Sequence, residues 1–302
     1  MKKKKAFNFL TAIVALLVFF SGIIRHDVAE KEYLDLAKSK QFDAAGLVYI
    51  DTSAGGSCVL IHDRFILSAA HVFMESDLRQ DTINYNGNNM ISYVPYNERE
   101  IDPARVFILI NGQKVGVKKI YMHPGYRDSA TAGSCDLAIL ELKTSFKNIK
   151  PVSINREFDE FGAEVTGVGY GASGIANDIA SVGIKNQKIA GQNVIDSMGG
   201  LEIMGKKTLL FSDFDHPERS DCNKMGDAKP RPLEYITSGG DSGGPLYRQK
   251  NKNWELIGIC AGGGVDVQQL LVTGYYGQTM GWTRVSPFNN WINEIIPKLK
   301  IK

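Results

Sequence analysis

Residues 238–246 read Ser-Gly-Gly-Asp-Ser-Gly-Gly-Pro-Leu. An attacking hydroxyl must stand exposed on a tight bend, with backbone N–H groups aimed at the position where a carbonyl oxygen becomes negative. Glycines permit such a bend because they accept positive φ and let a second backbone come close. Ser242 is therefore the candidate nucleophile, and the N–H groups of Gly240 and Ser242 are the candidate oxyanion donors. Standing alone, the same string would also suit a glycine-rich loop without catalytic meaning.

Two more stretches argue against that bland reading. Residues 68–72 read SAAHV and place His71 directly after a strand pattern, while residues 134–142 read SCDLAILEL and place Asp136 at the mouth of an apolar strand. Serine attacks poorly unless a neighbouring base takes its proton, and a histidine titrates in the right range to do so. A carboxylate behind the imidazole fixes its tautomer and stabilises the imidazolium. His71, Asp136 and Ser242, in that order, are thus the candidate catalytic set. The string GDSGG also fits the G-x-S-x-G pattern of α/β-hydrolases, which need a histidine after the serine. All five histidines, His26, His62, His71, His123 and His216, precede Ser242. A subtilisin order could recruit only an acid such as Asp51 or Asp63, and the alternating helices of that fold are missing.

Around these motifs the chain reads as β-rich. Short apolar runs at residues 47–50, 58–61, 65–69, 105–110, 115–121, 137–142, 163–168, 208–211, 254–260 and 281–285 are separated by Gly, Asn, Asp and Pro. That texture predicts an all-β sandwich or barrel. Val28 to Ser39 has near-helical spacing and reads as a lead-in. Ser286 as cap, Pro287 at the first position and an apolar face of Phe288, Trp291, Ile292, Ile295 and Ile296 predict a C-terminal helix. The polar, unpatterned stretch from Asp81 to Glu100 reads as a surface insertion.

The chain has 302 residues, 43% of them hydrophobic and 23% charged, which suits a folded protein of about two domains. Residues 1–22 differ in kind: Lys2 to Lys5 precede an apolar run from Ala6 to Ile24, the pattern of a secretory signal peptide. Phe19 and Phe20 make a poor cleavage site, and the run nears spanning length, so an uncleaved anchor stays open. The expected divisions are a signal over residues 1–22, a lead-in over 23–43, a first barrel over 44–150 and a second barrel with the helix over 151–302. Removing residues 1–22 takes four lysines and no acid from a net charge of +2, leaving −2. Nothing then points to nucleic acid as a partner. Cys58, Cys135, Cys222 and Cys260 permit disulfides in an exported chain, and their spacing does not resemble a zinc site. Asp213, Asp215, Glu218 and Asp221 form an acidic loop that could hold calcium, although no EF-hand pattern is present. Neither metal nor cofactor is expected in the chemistry.

The three motifs AAHV, DLAIL and GDSGGP together resemble the trypsin and chymotrypsin family of serine proteases over about residues 44–297, with HPGY at 123–126, GWTRV at 281–285 and Trp291 in support. GQNVID at 191–196 and FSDFD at 211–215 look like its bacterial secreted branch. The resemblance implies two six-stranded antiparallel β-barrels with a C-terminal helix, and a monomeric, secreted or periplasmic endopeptidase acting on proteins or peptides. It implies contact with membrane only if the signal stays attached. The alternative is a non-catalytic homologue that binds through the same scaffold. By the same resemblance Ile236 stands at the base of the primary pocket, followed by Thr237, with walls from Ala261, Gly262, Gly263 and Met280. An apolar base cannot compensate a buried cation, so small or medium apolar side chains are expected rather than Arg or Lys. Val72 stands where relatives often carry a cysteine. The family's activation implies a new N-terminus pairing with Asp241; its usual Ile-Val-Gly-Gly start is absent here, and the expected route is an Ile23 terminus exposed by signal removal, with activation by another protease as the alternative.

Overall fold

The structure, a computed structural model, describes residues 21–85, 88–264 and 275–296. Of the expected signal over residues 1–22, residues 1–20 lie outside them, as do residues 297–302, and Ser21 and Gly22 open the first described strand. In chain order the strands are β1 (Ser21–Ile24), β2 (Ala45–Ile50), β3 (Ser53–His62), β4 (Phe65–Ser68), β5 (Met74–Tyr85), β6 (Asn88–Glu100), β7 (Val106–Ile110), β8 (Gln113–Met122), β9 (Ala138–Leu142), β10 (Ser153–Ile154), β11 (Glu164–Gly169), β12 (Ala172–Ile175), β13 (Asp178–Gly183), β14 (Ile189–Val194), β15 (Ser197–Ile203), β16 (Lys206–Asp213), β17 (Tyr235–Ile236), β18 (Pro245–Lys250), β19 (Asn253–Gly264) and β20 (Thr279–Arg284). Two α-helices accompany them, α1 (Glu30–Ala37) and α2 (Asn289–Ile295). Among the described residues no helix is long and apolar enough to cross a membrane.

Strands β2, β3, β4, β9, β8 and β7 form a closed barrel, β7 pairing back onto β2 with Leu109 opposite Leu47. Its strands are rich in Val, Ile and Leu, which pack well on a pleated surface. Leu47, Val59, Ile66, Leu67, Val106, Ile108, Ile139 and Leu140 are all buried, on both faces of the barrel wall, since strand neighbours such as Ile66 and Leu67 point to opposite sides. Register shifts in β2, β3 and β8 supply the local bends that closure needs.

The second half is an eight-stranded sheet in the order β14-β11-β18-β19-β20-β16-β15, with β10 added in parallel to β19. The expectation of a second six-stranded barrel is met with a difference at its seam. No backbone ladder joins β14 to β16. Instead the Asn193 amide donates to the Asp213 carbonyl at 2.8 Å, and the Ser212 hydroxyl donates to the Val194 carbonyl. Side chains thus close the six strands from β14 to β16, while β10 and β15 extend beyond them.

Strand β1 lies inside a smaller sheet, parallel to β12 and antiparallel to β17. Ile23 and Ile24 are each 1% exposed. Ile23 belongs to the second half's core with Ile236, Met280 and Trp282, and Ile24 clusters with Tyr33, Ile189 and Tyr235. Helix α1 buries Tyr33 and Ala37, and the Tyr33 hydroxyl donates to the Glu234 carbonyl at 3.0 Å.

At the C-terminal end Ser286 to Phe288 form a 3₁₀ turn ahead of α2. Ser286 does not cap the helix: its hydroxyl donates to Glu160 at 2.6 Å. Glu160 is fully buried and takes Arg284 and Asn155 as further donors, and a buried carboxylate needs every donor it can reach. Phe288 and Trp291 pack edge-on against His123 of the HPGY stretch, with ring centroids 4.9 and 5.0 Å apart.

Met74–Ile101 falls in a different contact unit from residues 19–73 and 102–302. The expected unpatterned insertion, Asp81 to Glu100, is part of a longer two-stranded ribbon of β5 and β6 that begins at Met74. The Arg99 guanidinium bonds Glu75 at 2.9 Å and Asp77 at 3.1 Å, and Asn97 takes φ 51° at a bulge between the pairs Glu75–Arg99 and Asp77–Tyr96.

The disulfides expected of the four cysteines are not formed. Cys58 lies in a barrel strand, Cys135 precedes Asp136, Cys222 sits in a surface turn and Cys260 lies in β19, and all four are free thiols. Burial pushes the Cys260 thiol up to about 12 and raises those of Cys58 and Cys135, so none of these three readily forms a thiolate.

Candidate active site

Strands β4 and β9 are neighbours, with Ser68 paired to Ala138. His71 follows Ser68 by three residues in a 3₁₀ turn, and Asp136 precedes Ala138 by two. The register of one strand pair therefore brings the two residues together. Asp136 Oδ2 lies 2.6 Å from His71 Nδ1, and Oδ1 accepts the His71 backbone N–H at 2.9 Å. Asp136 is 6% exposed, whereas the His71 side chain is one-third exposed at 33%. Burial disfavours the imidazolium, but the Asp136 charge and its hydrogen bond outweigh that and hold the His71 pKa above its ordinary value.

Ser242 sits on the turn between β17 and β18. Gly240 at φ 95° and Gly243 at φ 82° occupy conformations that side chains rarely adopt. A Cβ on Gly243 would also stand 2.1 Å from the Ser68 hydroxyl and 2.3 Å from the Ser57 carbonyl. The turn is held by Asp241 N–H to Ser238 O at 2.9 Å, Gly244 N–H to Asp241 O at 2.7 Å and Gly243 N–H to Cys260 O at 2.8 Å. Among the described residues the N–H groups of Gly240 and Ser242 donate to no acceptor, which leaves both for an incoming oxygen. The Ser242 hydroxyl also makes no hydrogen bond there; bonds of this kind commonly tighten only when substrate arrives.

Ser57, which no motif marks, clamps this turn to the first barrel. Its N–H donates to Ser242 O at 2.7 Å and its hydroxyl to Gly240 O at 2.8 Å. It accepts Tyr170 N–H at 2.9 Å on its hydroxyl and the Ser68 hydroxyl at 2.8 Å on its carbonyl. The only signal for Ser68 was its place in the SAAHV string.

Asp241 points away from solvent at 1% exposure. Gly171 N–H reaches Oδ1 at 2.9 Å and Ser238 N–H reaches Oδ2 at 3.0 Å. No cation pairs with it among the described residues, and burial raises its pKa to about 6. Gly169 and Gly171 make room for the carboxylate, since a Cβ on either would meet Oδ1 at 2.0 or 2.8 Å.

Of the residues expected around the primary pocket, Ile236, Thr237 and Met280 are buried, Ala261 and Gly262 half-buried. Gly262 pairs with Gly281 and Gly263 with Met280 across β19 and β20. Ile236, Cys260, Met280 and Trp282 share one apolar cluster. The acidic group extends beyond the residues expected: Asp196 is raised to about 7, Asp215 to about 6 and Glu234 to about 8, burial being the main cause in each. Among the described residues no group of His, Cys, Asp or Glu is arranged to hold a metal ion.

A closed barrel beside a rolled sheet, with an acid-oriented imidazole on one and a glycine-framed serine on the other, is the design of a serine-type peptidase. The comparison with known families agrees. The family model described as Trypsin matches residues 37–292, and the chain belongs to that family.

Proposed function

We propose that this chain is an exported serine endopeptidase that cleaves peptide bonds through an acyl-enzyme on Ser242. The reading rests above all on the double grip of Asp136 on His71. With Nδ1–H committed to the carboxylate, Nε2 is left as the free base that takes the Ser242 proton. The hydroxyl oxygen attacks the scissile carbonyl, and the N–H groups of Gly240 and Ser242 receive the oxyanion. The imidazolium then returns its proton to the leaving amine, and water repeats the cycle on the ester.

The apolar cluster at Ile236 and Met280 favours small or medium apolar side chains in the primary pocket, because a cation there would lose its hydration without a counter-charge. Export rests on the lysines and apolar run at the N-terminus, and the protein is expected to act as a monomer on protein or peptide substrates. A fluorophosphonate probe tests the reading. Labelling of the wild type that disappears in Ser242→Ala supports an enzyme, whereas an unlabelled wild type would leave only the binding homologue.

A further inference from the structure

The peptide units of the serine turn are not equally firm. The unit between Gly240 and Asp241 is held at both ends, its oxygen by the Ser57 hydroxyl at 2.8 Å and its N–H by the Ser238 carbonyl at 2.9 Å. The unit between Ser242 and Gly243 is held likewise, its oxygen by the Ser57 N–H at 2.7 Å and its N–H by the Cys260 carbonyl at 2.8 Å. The unit that carries the Gly240 donor has a looser tie, the Gly239 carbonyl accepting the Ala172 N–H only at 3.4 Å. It joins two glycines, the residues that resist rotation least, and Gly240 stands at φ 95°. Its orientation therefore depends on the next unit along, the one that the Ser57 hydroxyl grips.

Ser57 is fully buried in β3, and its hydroxyl is used in both senses: it donates to the Gly240 carbonyl and accepts the Tyr170 N–H at 2.9 Å. Tyr170 precedes Gly171, whose N–H holds Asp241 and whose Cα lies 2.9 Å from where a Cβ on Gly240 would stand. One hydroxyl thus ties the first barrel, the serine turn and the turn between β11 and β12 together at Gly240. Neither of its bonds touches His71 or Asp136.

We propose that Ser57 is a positioning residue of the peptidase: its hydroxyl, by fixing the Gly240 carbonyl, keeps the Gly240 N–H aimed at the developing oxyanion. The inference rests on the peptidase reading. Without the hydroxyl, the Gly240 carbonyl and the Tyr170 N–H lose a partner, and the loosely tied unit can turn its donor away. The loss falls on the transition state, where that donor matters most.

Ser57→Ala and Ser57→Gly test it, with competent sites counted by fluorophosphonate labelling so that kcat is expressed per site. Both should lose about tenfold in kcat with KM little changed, less than the hundredfold or more that loss of a donor itself costs. The inhibition constant of a peptide aldehyde, whose adduct with Ser242 places an oxygen between the two donors, should rise by the same factor. The pH midpoint of kcat/KM should stay with the parent, because the His71–Asp136 pair is untouched. Ser57→Thr keeps the hydroxyl and should retain most of the activity. Parental kcat and aldehyde affinity in Ser57→Ala, with the wild type labelled, would overturn this inference and leave the peptidase reading standing. So would a loss seen only as fewer labelled sites, or a Ser57→Thr protein that melts with the parent yet loses as much as Ser57→Ala. A wild type that takes no label overturns both.

Discussion

Asp136 holds His71 at two points, one oxygen on the ring and the other on the backbone N–H of the same residue. The imidazole is therefore fixed in position and in tautomer by one carboxylate. Asp136→Asn keeps an oxygen for the backbone N–H but turns an NH₂ towards Nδ1, which forces the ring proton onto Nε2. Turnover should fall by about 10⁴ at neutral pH with the fold retained. In the wild type kcat/KM should rise with pH as His71 loses its proton, with a midpoint above the usual histidine value because Asp136 favours the charged form. Steady-state kinetics from pH 5 to pH 9 decide this; a flat profile removes histidine from the mechanism.

Met280 is fully buried in the cluster that includes Ile236 and Trp282, and in the proposed primary pocket its side chain would set the depth. Met280→Gly should shift preference towards larger apolar side chains in a peptide library read by mass spectrometry. Each extra buried methylene is worth up to about 1 kcal/mol, so two or three of them change relative kcat/KM by about tenfold or more. Dominant cleavage after Arg or Lys by the wild type would contradict the pocket assignment.

The family resemblance makes Ile23 the expected activating terminus, and the strand register favours a start nearer Ser21. Ile23 lies between Gly174 and Ile236, in mid-strand, while Ser21 pairs with Ala172, the neighbour of the Gly171 that bonds Asp241. At about 3.3 Å per residue, an amino group at Ile23 falls roughly two residues short of that carboxylate. A chain beginning at Ser21 should be more active than one beginning at Ile23, by about tenfold, and should melt higher because it keeps the whole of β1. Assay of both purified chains checks this; equal activity would separate the site from the N-terminal strand.

The acidic group sets a pH dependence of stability. Asp196, Asp215 and Glu234 have folded-state pKa values of about 7, 6 and 8, all above those of the unfolded chain. Between roughly pH 5 and pH 8 the folded protein thus holds more protons than the unfolded one, and stability falls as pH rises. The thermal midpoint should be several degrees higher at pH 5.5 than at pH 8. His71 contributes in the same direction, since its folded pKa is also raised. A higher midpoint at pH 8 would refute the assignment.

How much of this was legible beforehand depended on whether a residue's role shows in its neighbours along the chain. His71, Asp136 and Ser242 each sit in a local string that the chemistry demands, and ten apolar runs marked barrel strands correctly. Ser57 was invisible because it meets Gly240 and Ser242 only through the fold. Residues 81–100 of the ribbon read as an insertion because its side chains whose burial is described are exposed or half-buried, so no apolar alternation marks it. Strand β1 was hidden for the opposite reason: Ile23 and Ile24 merge into the apolar run before them. Ser286 looked like a cap because its competitor, Glu160, is remote in sequence.

The partners of β1 lie far along the chain, at residues 172–175 on one side and 235–236 on the other. Among the earliest residues of the described chain, it can be seated only after about 150 and about 210 further residues have been synthesised. Loops of that length close slowly, since the entropy is lost before the contact is gained. The first strand of the described residues is therefore among the last to be placed, and until then the Asp241 turn has a half-built neighbour. Until β1 is seated, β12, whose start adjoins the Gly171 that bonds Asp241, lacks one of its two neighbouring strands.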